Sequence, residues 1–347
     1  MRIIVDAMGG DHAPEAIVQG ALDAVQEFGV DVVLVGRGSE LLEILRSKGL
    51  ENLPKGIEIS HAPDVVDMHA NPTTVLKEHP ESSMVQGLKL LREGQGDAFV
   101  SAGNTGALLT GATLECKRIR GIRRAAMGPV IPNRHGGTVL IDAGANVDCT
   151  PEYLLQFGYM GSFYAQKMLG KANPKVGLLN NGTEDSKGGA LRQETYALLQ
   201  EAKEAGRLNF VGNIEAREVF SGAVDVLVAD GFSGNVLLKS VEGTASFLMG
   251  ELKSVFKKNL ITKLGAACVM GGLKNLKQMM DYRESGGTVM LGITMPVIKA
   301  HGSSDARAIR SAIKQAIEVV ESGLVDSITQ NIDAMRVNVR GEHEGEK

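Results

Sequence analysis

Five times along this chain of 347 residues a short apolar run breaks off into a cluster of glycine, amide, hydroxyl and carboxylate groups. The clusters are Asp6-Ala-Met-Gly-Gly-Asp-His-Ala-Pro14, Ser101-Ala-Gly-Asn-Thr-Gly106, Asp142-Ala-Gly-Ala-Asn146, Leu178-Leu-Asn-Asn-Gly-Thr-Glu-Asp-Ser-Lys-Gly-Gly189 and Ala229-Asp-Gly-Phe-Ser-Gly-Asn235. Around them β-rich runs alternate with amphipathic segments. Strands are expected at residues 2–6, 31–36, 97–101, 138–142, 175–180, 209–212, 224–229 and 288–293, and helices at 14–28, 39–48, 82–92, 153–169, 190–205 and 305–321. Apolar strands alternating with helices predict an α/β fold, a mostly parallel sheet covered on both faces. Ligands of such sheets bind beyond the carboxyl ends of the strands, which is where the clusters fall. The expectation is that they converge on one crevice.

Composition narrows the function. The 43 glycines follow no collagen-like period and form no low-complexity tract, so they suit many tight strand-to-helix turns. A formal net charge of −4 gives no overall pull toward nucleic acid. Cys116, Cys149 and Cys268 lie far apart, which suggests neither a zinc site nor a disulfide framework and suits a reducing cytoplasm. The start of the chain has no signal-peptide pattern, and no apolar run reaches the ~18 residues of a spanning helix. With no linker or repeat, residues 1–339 are expected to form one continuous α/β unit, with two lobes allowed, and 340–347 a disordered tail.

The first turn is not GxGxxG, no Walker loop is present, and neither HExxH nor a GxSxG elbow occurs. No metal site and no cofactor are expected. The clusters also lack a covalent nucleophile, which suits chemistry in which the substrate brings its own.

Each candidate residue has a plain reading beside a functional one. Asp11 and His12 precede a helix, as caps or as catalytic groups. Ser101, Gly103, Asn104 and Thr105 either cap the next helix or offer donors to an anion. Asp142 and Asn146 suit turns. Lys187, between Ser186 and a double glycine, is placed for anion contact. Asn235 either caps a long helix or aims its amide at a reacting carbonyl.

A further feature stands apart from these loops, in a helical segment at about 240–282. Lysines 253, 257, 258, 263, 274 and 277 occur with no acidic residue from Leu252 to Met280. Leu248, Leu252, Val255, Phe256, Leu260 and Leu264 form an apolar stripe at helical spacing. The stripe packs into the core or against a second subunit, or the segment meets an anionic membrane or an acidic carrier protein. Lys253, Phe256, Lys257, Lys258 and Leu260 are the candidate contacts.

Val5-Asp-Ala-Met-Gly-Gly-Asp-His-Ala-Pro14, Ser101-Ala-Gly-Asn-Thr-Gly106, Leu178-Leu-Asn-Asn-Gly-Thr-Glu184 and Ala229-Asp-Gly-Phe-Ser-Gly-Asn-Val236 closely resemble the PlsX phosphate acyltransferases of bacterial phospholipid synthesis. The resemblance runs in order over nearly the whole chain. It implies a Rossmann-like three-layer α/β/α sandwich, akin to phosphotransacetylases and isopropylmalate dehydrogenases. It implies transfer of a fatty acyl group from acyl carrier protein to inorganic phosphate. It also implies a homodimer, cytoplasmic and peripheral to the membrane, that passes acyl phosphate to a membrane glycerol-3-phosphate acyltransferase. On that basis Lys187 and the Gly103–Thr105 backbone are assigned to phosphate, with Ser101, Asn104, Asn181, Gly182, Thr183, Asp230, Ser233 and Gly234 around it. Asn235 polarises the thioester carbonyl, while Asp11 and His12 orient these groups or protonate the leaving thiol. The rival readings are a phosphotransacetylase acting on acyl-coenzyme A and a non-catalytic membrane scaffold.

Overall fold

The computed structural model describes residues 1–259, 261–263, 265, 266, 269, 271, 272 and 286–336. The calls on Leu260, Leu264, Lys274, Lys277 and the tail at 340–347 lie outside the described residues. Twelve strands occur in this order: β1 (Arg2–Asp6), β2 (Asp31–Gly36), β3 (Ile57–His61), β4 (Ala98–Ser101), β5 (Ala126–Gly128), β6 (Val130–Ile131), β7 (Thr138–Ile141), β8 (Val176–Asn180), β9 (Phe210–Glu215), β10 (Val226–Val228), β11 (Thr288–Leu291) and β12 (Val297–Lys299). They build two sheets, ordered β3-β2-β1-β4-β12-β11-β5 and β6-β7-β10-β8-β9. Pairing is parallel except at β5, β6 and β11, which run against their neighbours. Only Pro129 separates β5 from β6, so one extended stretch passes from the first sheet to the second.

The helices are α1 (Glu15–Phe28), α2 (Gly38–Ser47), α3 (Val75–Glu78), α4 (Ser83–Arg92), α5 (Thr105–Gly111), α6 (Pro151–Leu169), α7 (Ala190–Glu204), α8 (Gly231–Lys257), α9 (Ala306–Ser322) and α10 (Leu324–Gln330). Their ends carry local signals. Thr150 and Asp305 accept the Tyr153 and Ala308 N–H groups at the starts of α6 and α9, and Gly170 and Gly323 end them in the left-handed region. Helices cover both faces of the parallel strands, so successive side chains of β1, Ile3, Ile4 and Val5, are all buried. One large apolar cluster runs through both sheets, joining Ile3 and Val5 of β1 to Ile141 of β7 and Val226 of β10 through α6 residues such as Phe157 and Met160.

The strands expected from the apolar runs are all present, several trimmed by a residue or two. Four others carry weaker signals. β3 alternates polar residues at a sheet edge, whereas β5, β6 and β12 span only two or three residues each.

Helices α1 and α9 pack against each other at closest range around Gly20. A Cβ there would stand 2.6 Å from the Ala306 carbonyl oxygen and 2.7 Å from Ile309 Cβ. Gly20→Ala should therefore destabilise the protein by about 1–3 kcal/mol in chemical denaturation, despite the better helix propensity of alanine. An unchanged or higher midpoint would show that these helices move apart without cost.

Candidate active site

Strand order decides where the polar loops go. The loops after β1 and β4 belong to the first sheet, and those after β7, β8 and β10 to the second. In the second sheet β10 lies between β7 and β8, so α8, which follows β10, starts between the β7 and β8 loops. Two hollows result where the sequence suggests one crevice. The larger, of about 640 Å³, is lined by Thr105, Ala143, Gly144, Asn235, Lys239, Lys299 and His301 among its polar and loop residues. Met68, Met127, Val130, Ile131, Leu238 and Val241 supply apolar wall. The smaller, of about 370 Å³, is lined by Asn180, Asn181, Gly188, Gly189, Arg192 and Ser233.

The first turn of α8 is pinned between them. At Gly234 a Cβ would fall 1.9 Å from the Asp142 carbonyl oxygen, and at Gly231 2.5 Å from that of Asn146. Only glycine permits these approaches. Asp142 itself is fully buried and accepts from Met127 N at 2.9 Å, Ala145 N at 3.2 Å, Asn146 N at 2.6 Å and Asn146 Nδ2 at 3.0 Å. Burial pushes its carboxyl upward in pKa, against these donors. Asp142 and Asn146 thus hold the β7 turn.

Asp230 caps α8, accepting Ser233 N at 2.8 Å and its hydroxyl at 2.9 Å, and pairs with Arg192 from α7. Burial raises the Asp230 pKa, but the Ser233 donors and Arg192 outweigh it and hold the carboxyl below its usual range. Arg192 also donates to Ser233 Oγ at 3.0 Å, tying α7 to α8. Asp230, Ser233 and Gly234 therefore build the turn that presents Asn235. Asn235 is exposed to the large cavity, and its amide makes no hydrogen bond among the described residues.

On the first sheet, Asp6 is buried, accepting from Ser83 Oγ and Ser101 Oγ at 2.6 Å each and Met8 N at 3.2 Å. Burial pushes its pKa up, and the serine hydroxyls oppose the shift. Ser101 accepts Gly103 N at 3.1 Å, so that N–H is already engaged. Asn104 caps α5 through Ala107 N at 3.0 Å and donates to Met68 O and Ala70 O, which commits its side chain to structure. Thr105 reaches the cavity wall. Neither Asp11 nor His12 caps α1 with its side chain. Both are exposed, and Asp11 N donates to Gly302 O at 2.8 Å beside the cavity.

Lys187 sits on the loop that borders the smaller hollow and does not line the large one. It is exposed, 4.0 Å from Glu184, and its stem lies over buried Gly182. Asn181 lines the smaller hollow, and Thr183 is exposed. The separation follows from strand order, which sequence motifs do not encode.

Lys239, Glu242, Lys299 and His301 also line the cavity, though no motif marks them. Lys299 ends a three-residue strand behind Pro296, too short for a periodic signal. Burial pushes its ammonium down to about 8, while Asp6 pulls it back up. His301 is also held below its usual value by burial and by Lys239. Lys239, on α8, pairs with Glu242 at 2.8 Å.

Beyond its first turn α8 buries no residue fully among those described. Phe247 is 65% exposed, Leu248 52% and Val255 56%, so this end of the stripe is not packed into the chain's own core. Lys253, Lys257 and Lys258 are exposed, and Phe256 is half-buried. No described helix is long and apolar enough to cross a membrane.

Comparison with known proteins agrees with this architecture. The family model described as fatty acid synthesis protein matches residues 1–327. A phosphate acyltransferase from Brevibacillus brevis is 47% identical, covering 99% of this chain and 100% of its own. One from Thermoanaerobacterium thermosaccharolyticum is 45% identical, covering 96% and 97%. Among solved structures, a phosphotransacetylase from Streptococcus pyogenes superposes with a TM-score of 0.62 at 16% identity, covering 94% of each chain. A branched-chain phosphotransacylase from Enterococcus faecalis gives 0.54 at 15% identity, covering 92% and 99%. These two show the shared Rossmann-like fold. By the match over nearly its whole length, the chain belongs to the fatty acid synthesis protein family, the PlsX-type phosphate acyltransferases.

Proposed function

We propose that the protein transfers a long-chain fatty acyl group from the thioester of acyl carrier protein to inorganic phosphate, releasing acyl phosphate for phospholipid synthesis. The observation that carries the reading is the large cavity. It joins a polar floor, with Thr105 and the unpartnered Asn235 amide, to an apolar wall suited to an acyl chain.

A phosphate oxygen attacks the thioester carbonyl. The tetrahedral oxyanion collapses, the C–S bond breaks, and the proton of the phosphate passes to the leaving thiolate. The nucleophile is already charged at neutral pH, so the enzyme's work is alignment and stabilisation of the oxyanion. In this reading Asn235 donates to that oxyanion. The backbone at Asn104 and Thr105 faces the phosphate, Lys187 meets an anion from the neighbouring hollow, and Asp11 and His12 relay the thiol proton. The exposed cationic end of α8 supports docking on acidic carrier protein or anionic lipid, and its exposed apolar residues support a homodimer. Such an enzyme would work at the inner membrane surface and hand its product to a membrane glycerol-3-phosphate acyltransferase.

Thiol release from long-chain acyl carrier protein should depend strictly on added phosphate and resist competition by acyl-coenzyme A. Phosphate-independent release, or preference for the coenzyme A thioester, would overturn this assignment. Asn235→Ala should lower kcat roughly a hundredfold or more, the usual loss for an oxyanion donor. Lys187→Ala should raise KM for phosphate, and full activity of both variants would remove these roles. Gly234→Ala should abolish activity through its clash with Asp142. Charge reversal at Lys253, Lys257 and Lys258 should raise KM for acyl carrier protein or release the enzyme from anionic vesicles. If neither changes, the segment has only a structural role.

A further inference from the structure

Lys299 is the least expected group in the molecule. It is 6% exposed, yet lines the large cavity. Its ammonium has three N–H donors. One goes to Ala102 O at 3.2 Å and one to Ala300 O. The third has no protein acceptor among the described residues, and no carboxylate there lies within ion-pair distance of it. A buried cation without a salt bridge is costly, and proteins keep such groups where a ligand completes the shell. Through Ala102 the ammonium is fastened to the loop that leads to Thr105. Asp6, the strongest influence of opposite sign, has its own oxygens taken up by Ser83, Ser101 and Met8 N.

We propose that Lys299 is the inner cation of the phosphate site, its third N–H donating to a phosphate oxygen at the cavity wall built by the first sheet. The assignment rests on the function proposed above and adds a residue to it. Phosphate then lies between a buried cation on one sheet and the Asn235 turn on the other. A buried ammonium binds a dianion more strongly than an exposed one, because less water competes for it.

The charged groups around it are Asp6 from β1, Asp11 from the following loop, Lys239 and Glu242 from α8, and His301 beyond β12. Lys299 is charged below about 8 and loses its proton as pH rises through that value. Phosphate affinity should fall over the same range.

Initial rates of thiol release from acyl carrier protein at varied inorganic phosphate provide the test. Lys299→Met should raise KM for phosphate about tenfold or more, the loss expected for a charge-assisted hydrogen bond, and change KM for the acyl donor by less than about twofold. Lys299→Arg should recover part of the phosphate affinity and remove its decline above about pH 8, since guanidinium stays charged. In wild type and in Lys187→Ala that decline should remain.

Unchanged KM for phosphate in Lys299→Met would overturn the proposal, as would equal rises for both substrates. If the methionine variant does not fold, the wild-type series decides, and phosphate affinity that stays flat through about pH 8 refutes the assignment. A wild type that releases thiol without phosphate would instead refute the proposed reaction itself, so the two failures are distinct.

Discussion

The site depends on the contact between the Asp142 backbone and the first turn of α8. At Gly234 no side-chain atom fits between them, and a Cβ at Gly231 would meet Asn146 O at 2.5 Å. The β7 turn that makes this contact is tied down by hydrogen bonds. Asp142 accepts N–H groups from Met127, Ala145 and Asn146. A buried carboxylate with several donors costs little if all remain in place, and far more if one is lost. The turn therefore sets the position of α8, and α8 sets the position of Asn235.

A second pin acts from the other side. Arg192 joins Asp230 and Ser233, tying the start of α7 to the start of α8. Held on both flanks, the first turn of α8 divides the strand-end space into two hollows with Asn235 on one side and Ser233 on the other. The first sheet contributes a different design. There Asp6 gathers Ser83, Ser101 and the Met8 N–H beneath its loop, with Lys299 bonded to the carbonyl of Ala102 above. Asp6 favours the charged form of Lys299 from within the same wall without forming a direct pair with it. The cavity between the sheets thus has a fixed electrostatic floor before any ligand arrives, the arrangement that favours charge developing in a transition state.

Much of the fold was legible because its signals are local. Apolar runs such as Ile3-Ile4-Val5 mark strands covered on both faces, and amphipathic periodicity marks the helices between them. The glycine-rich breaks marked strand ends. The candidate site was legible in part for the same reason. Thr105 and Asn235 do reach the cavity, while Ser101, Asn104 and Asp230 turn out to hold the loops that present them. Lys187, beside a double glycine, carried a strong anion-loop signature, yet its loop borders the other hollow. The motif describes a loop, and where the loop stands depends on strand order. Lys299 gave no signal, since a three-residue strand has no period and burial is not written in a single lysine.

The sequence by itself determined the class of fold, the positions of the strand-end turns and the family, because periodicity, glycine placement and motif identity are properties of neighbouring residues. Only the tertiary structure decided which turns share a cavity, which polar side chains are spent on structure, and that a buried lysine lines the large cavity. Those outcomes depend on strand order across two sheets, with β10 set between β7 and β8, and on burial. Both arise from contacts between residues far apart in the chain, such as Lys299 with Ala102 and Gly234 with Asp142.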